Sequence, residues 1–138
     1  MKKAAALIGL CLTIPLIWAG SCNNEEVVQN CEGIACTMMF AMIQLEVKNP
    51  QGEPVALQDF YTLRGKDATP IRPEQQMDVV GNYVVLDDGY LAKLRQQTDS
   101  FTFIGVIDGE QVLSVPFKIG ADCCHVGRQE GPTEVIYP

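Results

Sequence analysis

Residues 100–119 read SFTFIGVIDGEQVLSVPFKI, two apolar-rich segments joined by Asp108-Gly109. Aspartate followed by glycine suits the positive φ angles of a type I′ turn. The segments on either side are rich in β-branched and aromatic residues, which favour strands. This stretch therefore predicts a β-hairpin with strands at residues 100–107 and 111–119, and it places the chain in the all-β class.

Turn and alternation signals predict further strands on both sides of the hairpin. A period-2 alternation of apolar and polar residues begins at Met38, and residues 90–95 predict one helical turn. Pro116 lacks a backbone donor, so part of the returning strand is expected at an edge or a bulge. The remaining strands are predicted at residues 55–63, 77–86 (or two strands broken at Gly81-Asn82), 123–126 and 133–137. Several short, turn-separated strands predict one antiparallel β-sandwich of about seven strands over residues 31–138, immunoglobulin-like or transthyretin-like.

The end of the first predicted strand and the turn after it carry a family resemblance. Residues 45–55 read LEVKNPQGEPV, which is similar to the opening of carboxypeptidase-regulatory-like and related transthyretin-like sandwich domains. Such domains begin with a strand, a glycine-centred turn and a Pro-Val pair. The resemblance implies the same kind of sandwich as the alternation pattern.

The N-terminus has the pattern of a secretory signal. Lys2 and Lys3 precede an apolar run over residues 4–19, which two small residues separate from Cys22. This pattern predicts a signal peptide over residues 1–21 that is removed from the mature protein. The apolar run is too short for a transmembrane helix, which needs about 20 apolar residues.

With cysteine at the first mature position, residues 20–22 resemble the lipobox of bacterial lipoproteins. The resemblance implies lipidation of Cys22, with palmitate among its acyl chains, and attachment to a membrane through that anchor. Stable anchoring requires more than one acyl chain, which a lipoprotein cysteine provides. Cleavage without lipidation is the alternative, since small residues before a cut site are common to both kinds of signal.

Residues 22–30 are mainly polar and acidic and predict a flexible tether. The start Cys22-Asn-Asn-Glu-Glu, together with the segment GADCCHV at residues 120–126, resembles small surface lipoproteins of Bacteroidetes. In that group, acidic residues after the lipidated cysteine resemble a surface-export signal. The resemblance implies a lipid-anchored location at the outer membrane, on its cell-surface or periplasmic face.

The charge of the chain excludes one class of partner. Loss of Lys2 and Lys3 with the signal peptide would leave eight basic against seventeen acidic residues, a net charge near −9. Such a chain repels nucleic acid and anionic lipid headgroups. We therefore expect no nucleic-acid partner. The expected partners are the membrane, through the anchor, and an unidentified protein or glycan ligand.

Four cysteines lie in the predicted domain: Cys31, Cys36, Cys123 and Cys124. An even number in an exported chain predicts two disulfides. A bridge between the adjacent pair would close a strained ring, so the first two cysteines are expected to bridge to the last two. The order of those bridges stays open. In an extended segment, the adjacent pair would face opposite sides.

The alternative function is a small metal- or thiol-dependent enzyme that uses Cys123, Cys124 and His125, the single histidine. Thiolates and an imidazole are ligands of tetrahedral Zn²⁺. Adjacent cysteines suit one metal ion poorly, however, and strand neighbours make a poor thiol–imidazole pair. His125 is expected to be a half-exposed strand residue. The leading hypothesis is a non-catalytic binding or structural module with no catalytic residue, metal or cofactor.

Two further groups have simple structural interpretations. Asp87-Asp88 before Gly89 is expected to form a turn rather than a catalytic pair or a calcium site. Four tyrosines could line a glycan-binding face, but strand propensity favours a place at the rim of the core; they are Tyr61, Tyr83, Tyr90 and Tyr137.

Overall fold

The computed structural model describes residues 30–138 except residues 66, 68, 77 and 78. These residues form seven strands: β1 (Met42–Lys48), β2 (Asp59–Arg64), β3 (Asn82–Asp87), β4 (Thr98–Ile107), β5 (Glu110–Ala121), β6 (Val126–Glu130) and β7 (Glu134–Ile136). A 3₁₀ turn (Asp88–Tyr90) and a single helical turn, α1 (Leu91–Leu94), join β3 to β4. The predictions for the signal peptide, for Cys22 and for the tether up to residue 29 lie outside the described residues.

The strands form two sheets, with the orders β3-β1-β7 and β2-β4-β5-β6. The predicted all-β sandwich is therefore confirmed. All pairings are antiparallel except that of β1 with β7, which is parallel. In an immunoglobulin constant-type domain the first, second, fourth and fifth strands share a sheet. Here the first strand instead shares its sheet with the third and seventh, so the strand order differs from that arrangement.

The core lies between the two sheets, where apolar side chains of alternate strand positions meet. From β1 the inward residues are Ile43, Leu45 and Val47, which confirms the predicted alternation. They pack with the aromatic and aliphatic residues of the other strands, chiefly Tyr83, Val85, Leu86, Phe101, Phe103, Phe117 and Ile119. Thr62 is fully buried among them, and its Oγ1 donates a 2.6 Å hydrogen bond to the carbonyl of Val85 in the opposite sheet.

The hairpin of β4 and β5 has the predicted turn. Asp108 and Gly109 have φ angles of 52° and 78°, as a type I′ turn requires. Pro116 lies opposite Thr102 of β4, whereas the pairing of β5 with β6 begins only at Lys118. Pro116 therefore lies in a part of β5 that has a free edge, as predicted, and its missing donor costs no hydrogen bond to β6.

Several predicted boundaries are wrong. The second and third strands begin at Asp59 and Asn82 rather than at residues 55 and 77. Two further differences have a clear physical cause. The first strand begins at Met42 rather than at Met38, because the N–H of Ala41 donates to the side chain of Asp88 instead of to a neighbouring strand. The predicted strand over residues 123–126 is a bend that ends where β6 begins. Asp122 causes this bend, since its Oδ1 accepts the N–H groups of Cys124 and His125 at 2.7 and 2.8 Å.

Several elements meet at one end of the sandwich. Met42 at the start of β1 pairs with Asp87 at the end of β3, and Ala121 at the end of β5 pairs with Val126 at the start of β6. Residues 31–41 lie against this end. We call the part formed by residues 31–41, 87–91 and 121–126 the stapled end.

Candidate functional site

Two disulfides join the N-terminal segment to the bend. Cys31 bonds to Cys123 and Cys36 bonds to Cys124, across 92 and 88 positions of the sequence. The predicted bridging of the first two cysteines to the last two is confirmed, and the structure supplies the order. Cys123 and Cys124 lie in a bend rather than in a strand, so their side chains do not have to face opposite sides. Both therefore bond to cysteines of the same short segment, residues 31–36.

The Asp88 carboxylate lies at the centre of the stapled end. Its Oδ2 accepts the N–H of Ala41 at 2.8 Å and faces Nδ1 of His125 at 2.7 Å, while its Oδ1 accepts the N–H of Val126 at 2.8 Å. Burial raises the pKa of this carboxyl, but these hydrogen bonds outweigh burial and leave the pKa below its usual value. Asp88 thus joins the segment before β1, the bend and β6.

His125 extends this arrangement to the N-terminal segment. Its Nε2 lies 3.0 Å from Oγ1 of Thr37, and its side chain is about one quarter exposed. Since Nδ1 faces a carboxylate oxygen, the neutral ring carries its proton there, and Nε2 then accepts the Thr37 hydroxyl. The predicted partial exposure is confirmed, but His125 lies in the bend and not in a strand.

The order hydroxyl, imidazole, carboxylate is also that of serine hydrolases. Such a hydrolase needs free donors that stabilise the oxyanion of its intermediate. At this site four backbone N–H groups donate to carboxylates, those of Ala41 and Val126 to Asp88 and those of Cys124 and His125 to Asp122. These four hydrogen bonds brace the stapled end, since they tie the segment before β1, the bend and β6 to two carboxylates.

The geometry also bears on the alternative hypothesis of a metal- or thiol-dependent enzyme. Cys123 and Cys124 are oxidised to disulfides, and a disulfide sulfur is neither the nucleophile nor the metal ligand that a thiolate is. Within the described ranges, no group of three or more His, Cys, Asp or Glu residues is arranged to hold a metal ion. His125 is directed to Asp88 and Thr37 rather than to the sulfurs.

The four tyrosines and the pair Asp87-Asp88 have structural roles in the fold. All four tyrosines are buried or half-buried rather than open on one face. Tyr83 lies in the core, and its hydroxyl accepts the N–H of Leu57 and donates to the carbonyl of Val55, both at 2.7 Å. Asp87 caps the 3₁₀ turn by accepting the N–H of Gly89 at 2.9 Å. The prediction that Asp87-Asp88 forms a turn is confirmed.

The cavities outside the network around Asp88 include two with polar linings. One of about 580 Å³ lies between β1 and β6 and is lined by polar groups that include Asn82 and Arg128. The other, of about 320 Å³, is lined by Glu74, Tyr90 and Lys93 beside the buried Asp87. Both linings mix polar groups of opposite charge, so charge alone selects no ligand class for either.

The segment between Thr37 and Ala41 is the most apolar exposed part of the stapled end. Met38 is fully exposed, and Met39 and Phe40 are 76% and 42% exposed. We call residues 38–40 the apolar tip. Ile34, four positions earlier, is 47% exposed. The alternation pattern predicts a strand for these residues, so the sequence carries no signal that they form an exposed apolar loop.

Comparisons of the chain with protein-family models, curated protein sequences and solved structures gave no match. In the part of the chain that the structure describes, no helix has the length and apolar character needed to cross a membrane.

Proposed function

We propose that this protein is a lipid-anchored lipoprotein of the cell envelope, held at the outer membrane by acylated Cys22. Its folded domain acts there as a non-catalytic binding or structural module for a protein or glycan ligand. The fold is proposed to be of the transthyretin-like, carboxypeptidase-regulatory-like kind, and the protein to be of the Bacteroidetes surface-lipoprotein type.

The observation that carries this proposal is the double cross-link at the entry of the chain. Cys31 and Cys36 follow the proposed anchor within fourteen positions, and both are bonded to cysteines about 90 positions later in the sequence. A force on the anchor would therefore reach the core through two covalent bonds. Disulfides of this kind are typical of exported proteins, since the cytosol keeps thiols reduced.

The non-catalytic assignment is supported by how the polar groups of the stapled end are used. Four backbone N–H groups near His125 donate to Asp88 and Asp122, and the four sulfurs are oxidised. These groups stabilise the domain and leave little general acid–base or nucleophilic capacity.

The anchor is tested by Cys22→Ala in the full chain with its own signal. We expect this variant to lose incorporation of labelled palmitate and to leave the membrane fraction, or to stall before cleavage. Cys11→Ala is the matched control, because Cys11 lies in the segment that cleavage removes. A correctly cleaved Cys22→Ala protein that stays in the membrane fraction would contradict the proposal.

A further inference from the structure

The apolar tip is exposed where the fold gives it no structural task. Met38, Met39 and Phe40 expose most or much of their surface, and none of them belongs to the buried core. Several large apolar side chains exposed together usually mark a surface that contacts an apolar partner. Methionine is well suited to such contacts because its side chain is flexible and polarisable.

The tip is held firmly from both sides. On one side Thr37 contacts His125 and Cys36 is bonded to Cys124; on the other the N–H of Ala41 donates to Asp88. Because His125 and Asp88 contact each other, both ends of the tip rest on one hydrogen-bonded pair. The three apolar residues therefore project as a short, fixed loop rather than as a free tail.

The position of the tip relative to the proposed anchor limits what it can contact. Asn30, the first described residue, follows Cys22 by eight positions, which span at most about 29 Å when fully extended. The disulfides then keep residues 31–36 on the stapled end. Chain length thus holds this end of the domain close to the bilayer that carries the anchor.

The charge of the mature chain favours an apolar contact over an ionic one. A net charge near −9 repels anionic headgroups. Uncharged methionine and phenylalanine gain free energy by leaving water for the boundary between headgroups and acyl chains. The acidic surface of the domain and the apolar tip are therefore compatible with a zwitterionic lipid surface.

We propose that the apolar tip inserts into the interface of the bilayer that carries the anchor, so that the domain stands on the membrane with its stapled end down. This inference rests on the proposed function, since it needs an anchor at Cys22. It adds an orientation: the opposite end, with the turns before β2 and β3, faces away from the lipid and is free for a partner.

A tryptophan placed in the tip tests the inference. The single tryptophan, Trp18, precedes Cys22, so the mature chain contains none. The variants Met39→Trp and Val80→Trp are made in the mature chain, with the signal peptide of an established lipoprotein placed before Cys22. Each acylated protein is then reconstituted in phosphatidylcholine vesicles, with and without brominated acyl chains.

Val80 is the matched control because it is also exposed, at 59%, but lies at the other end of the sandwich. It precedes β3, whose first residue pairs with Glu46, whereas the tip precedes Met42. β1 separates the two ends by about 20 Å. We expect the emission of Met39→Trp to shift to shorter wavelength and to be quenched by bromine, and that of Val80→Trp to change in neither respect.

Two results would overturn the inference: no quenching of Met39→Trp, or equal quenching of both variants. In the first case, an emission shift to shorter wavelength that grows with protein concentration would mean that a second copy of the chain covers the tip. The anchor proposal is tested separately. The protein is expressed with its native residues 1–21, and its mass shows whether Cys22 carries acyl chains.

Discussion

The Asp88 carboxylate accepts hydrogen bonds from three groups that are distant in the sequence: the N–H groups of Ala41 and Val126 and the ring of His125. The side chain is only 10% exposed, so these donors have little access to water when the carboxylate is removed. Donors that are buried without an acceptor cost free energy, which makes this one residue a strong determinant of order at the stapled end.

We expect Asp88→Ala to lower the free energy of unfolding by roughly 3 kcal/mol, because it leaves two backbone N–H groups and the His125 ring without their acceptor. Urea denaturation followed by circular dichroism measures this loss. Glu110→Ala, at an exposed position beside the hairpin turn, is the control and should change stability by less than about 0.5 kcal/mol. An equal effect of both substitutions would show that Asp88 has no bracing role.

The acid dependence of stability gives a second measurement on the same variant. The folded pKa of Asp88 lies below its usual value, so its contribution is complete above the unfolded pKa of about 3.9 and is lost as the pH falls through the folded pKa. The native chain should therefore lose stability below about pH 4 more steeply than Asp88→Ala does. Parallel curves for the two proteins would contradict this assignment.

Among the elements, the turn between β6 and β7 shows how one backbone conformation limits the sequence. Gly131 has a φ of 119°, and a Cβ added there would lie 2.4 Å from Cδ1 of Phe117. Phe117 belongs to the core, so its ring has little freedom to move away. This turn brings β7 beside β1, and position 131 requires glycine because a side chain there would strain the backbone and clash with Phe117.

Gly131→Ala is expected to destabilise the protein by about 1–3 kcal/mol through backbone strain, with a further loss from contact with Phe117. Thermal unfolding measures the effect. Gly127→Ala in neighbouring β6 is the control, since no atom lies within 4 Å of its added Cβ. If both variants melt at the same temperature, the steric account of Gly131 is wrong.

For the whole molecule, the two disulfides close nearly the same long loop. The bridges span 92 and 88 positions, and once either has formed, the other closes only the short ring through residues 31–36 and the bend. A loop of about 90 residues corresponds to roughly 4–5 kcal/mol of chain entropy, and a ring of fewer than ten residues to about half of that. The contributions of the two bridges are therefore not independent.

We expect Cys36→Ser with Cys124→Ser to cost about 2–3 kcal/mol, since the remaining bridge still closes the long loop. Replacing all four cysteines should cost about 4–5 kcal/mol more, because the long loop is then open in the unfolded chain. Guanidinium denaturation of the two variants measures the difference. Loss of the single bridge that is as costly as loss of both would contradict the chain-entropy account.

The sequence by itself determined the features that depend on neighbouring residues. Asp108-Gly109 specifies its hairpin because few residues other than glycine, asparagine and aspartate adopt positive φ angles in adjacent turn positions. The alternation over β1 predicts which of its residues are buried, since side chains of a strand face two sides in turn. The all-β class and the grouping of the four cysteines follow from such local patterns and from residue counts.

Only the tertiary structure decided the order of the bridges and the network of Thr37, His125 and Asp88. The three network residues lie 37 and 88 positions apart, and no period in the sequence relates them. The start of β1 was likewise set by a distant side chain, because Asp88 accepts the N–H of Ala41, which would otherwise donate to a neighbouring strand. These features form when the two sheets pack, since packing selects which of many polar groups with similar local preferences come within hydrogen-bonding distance.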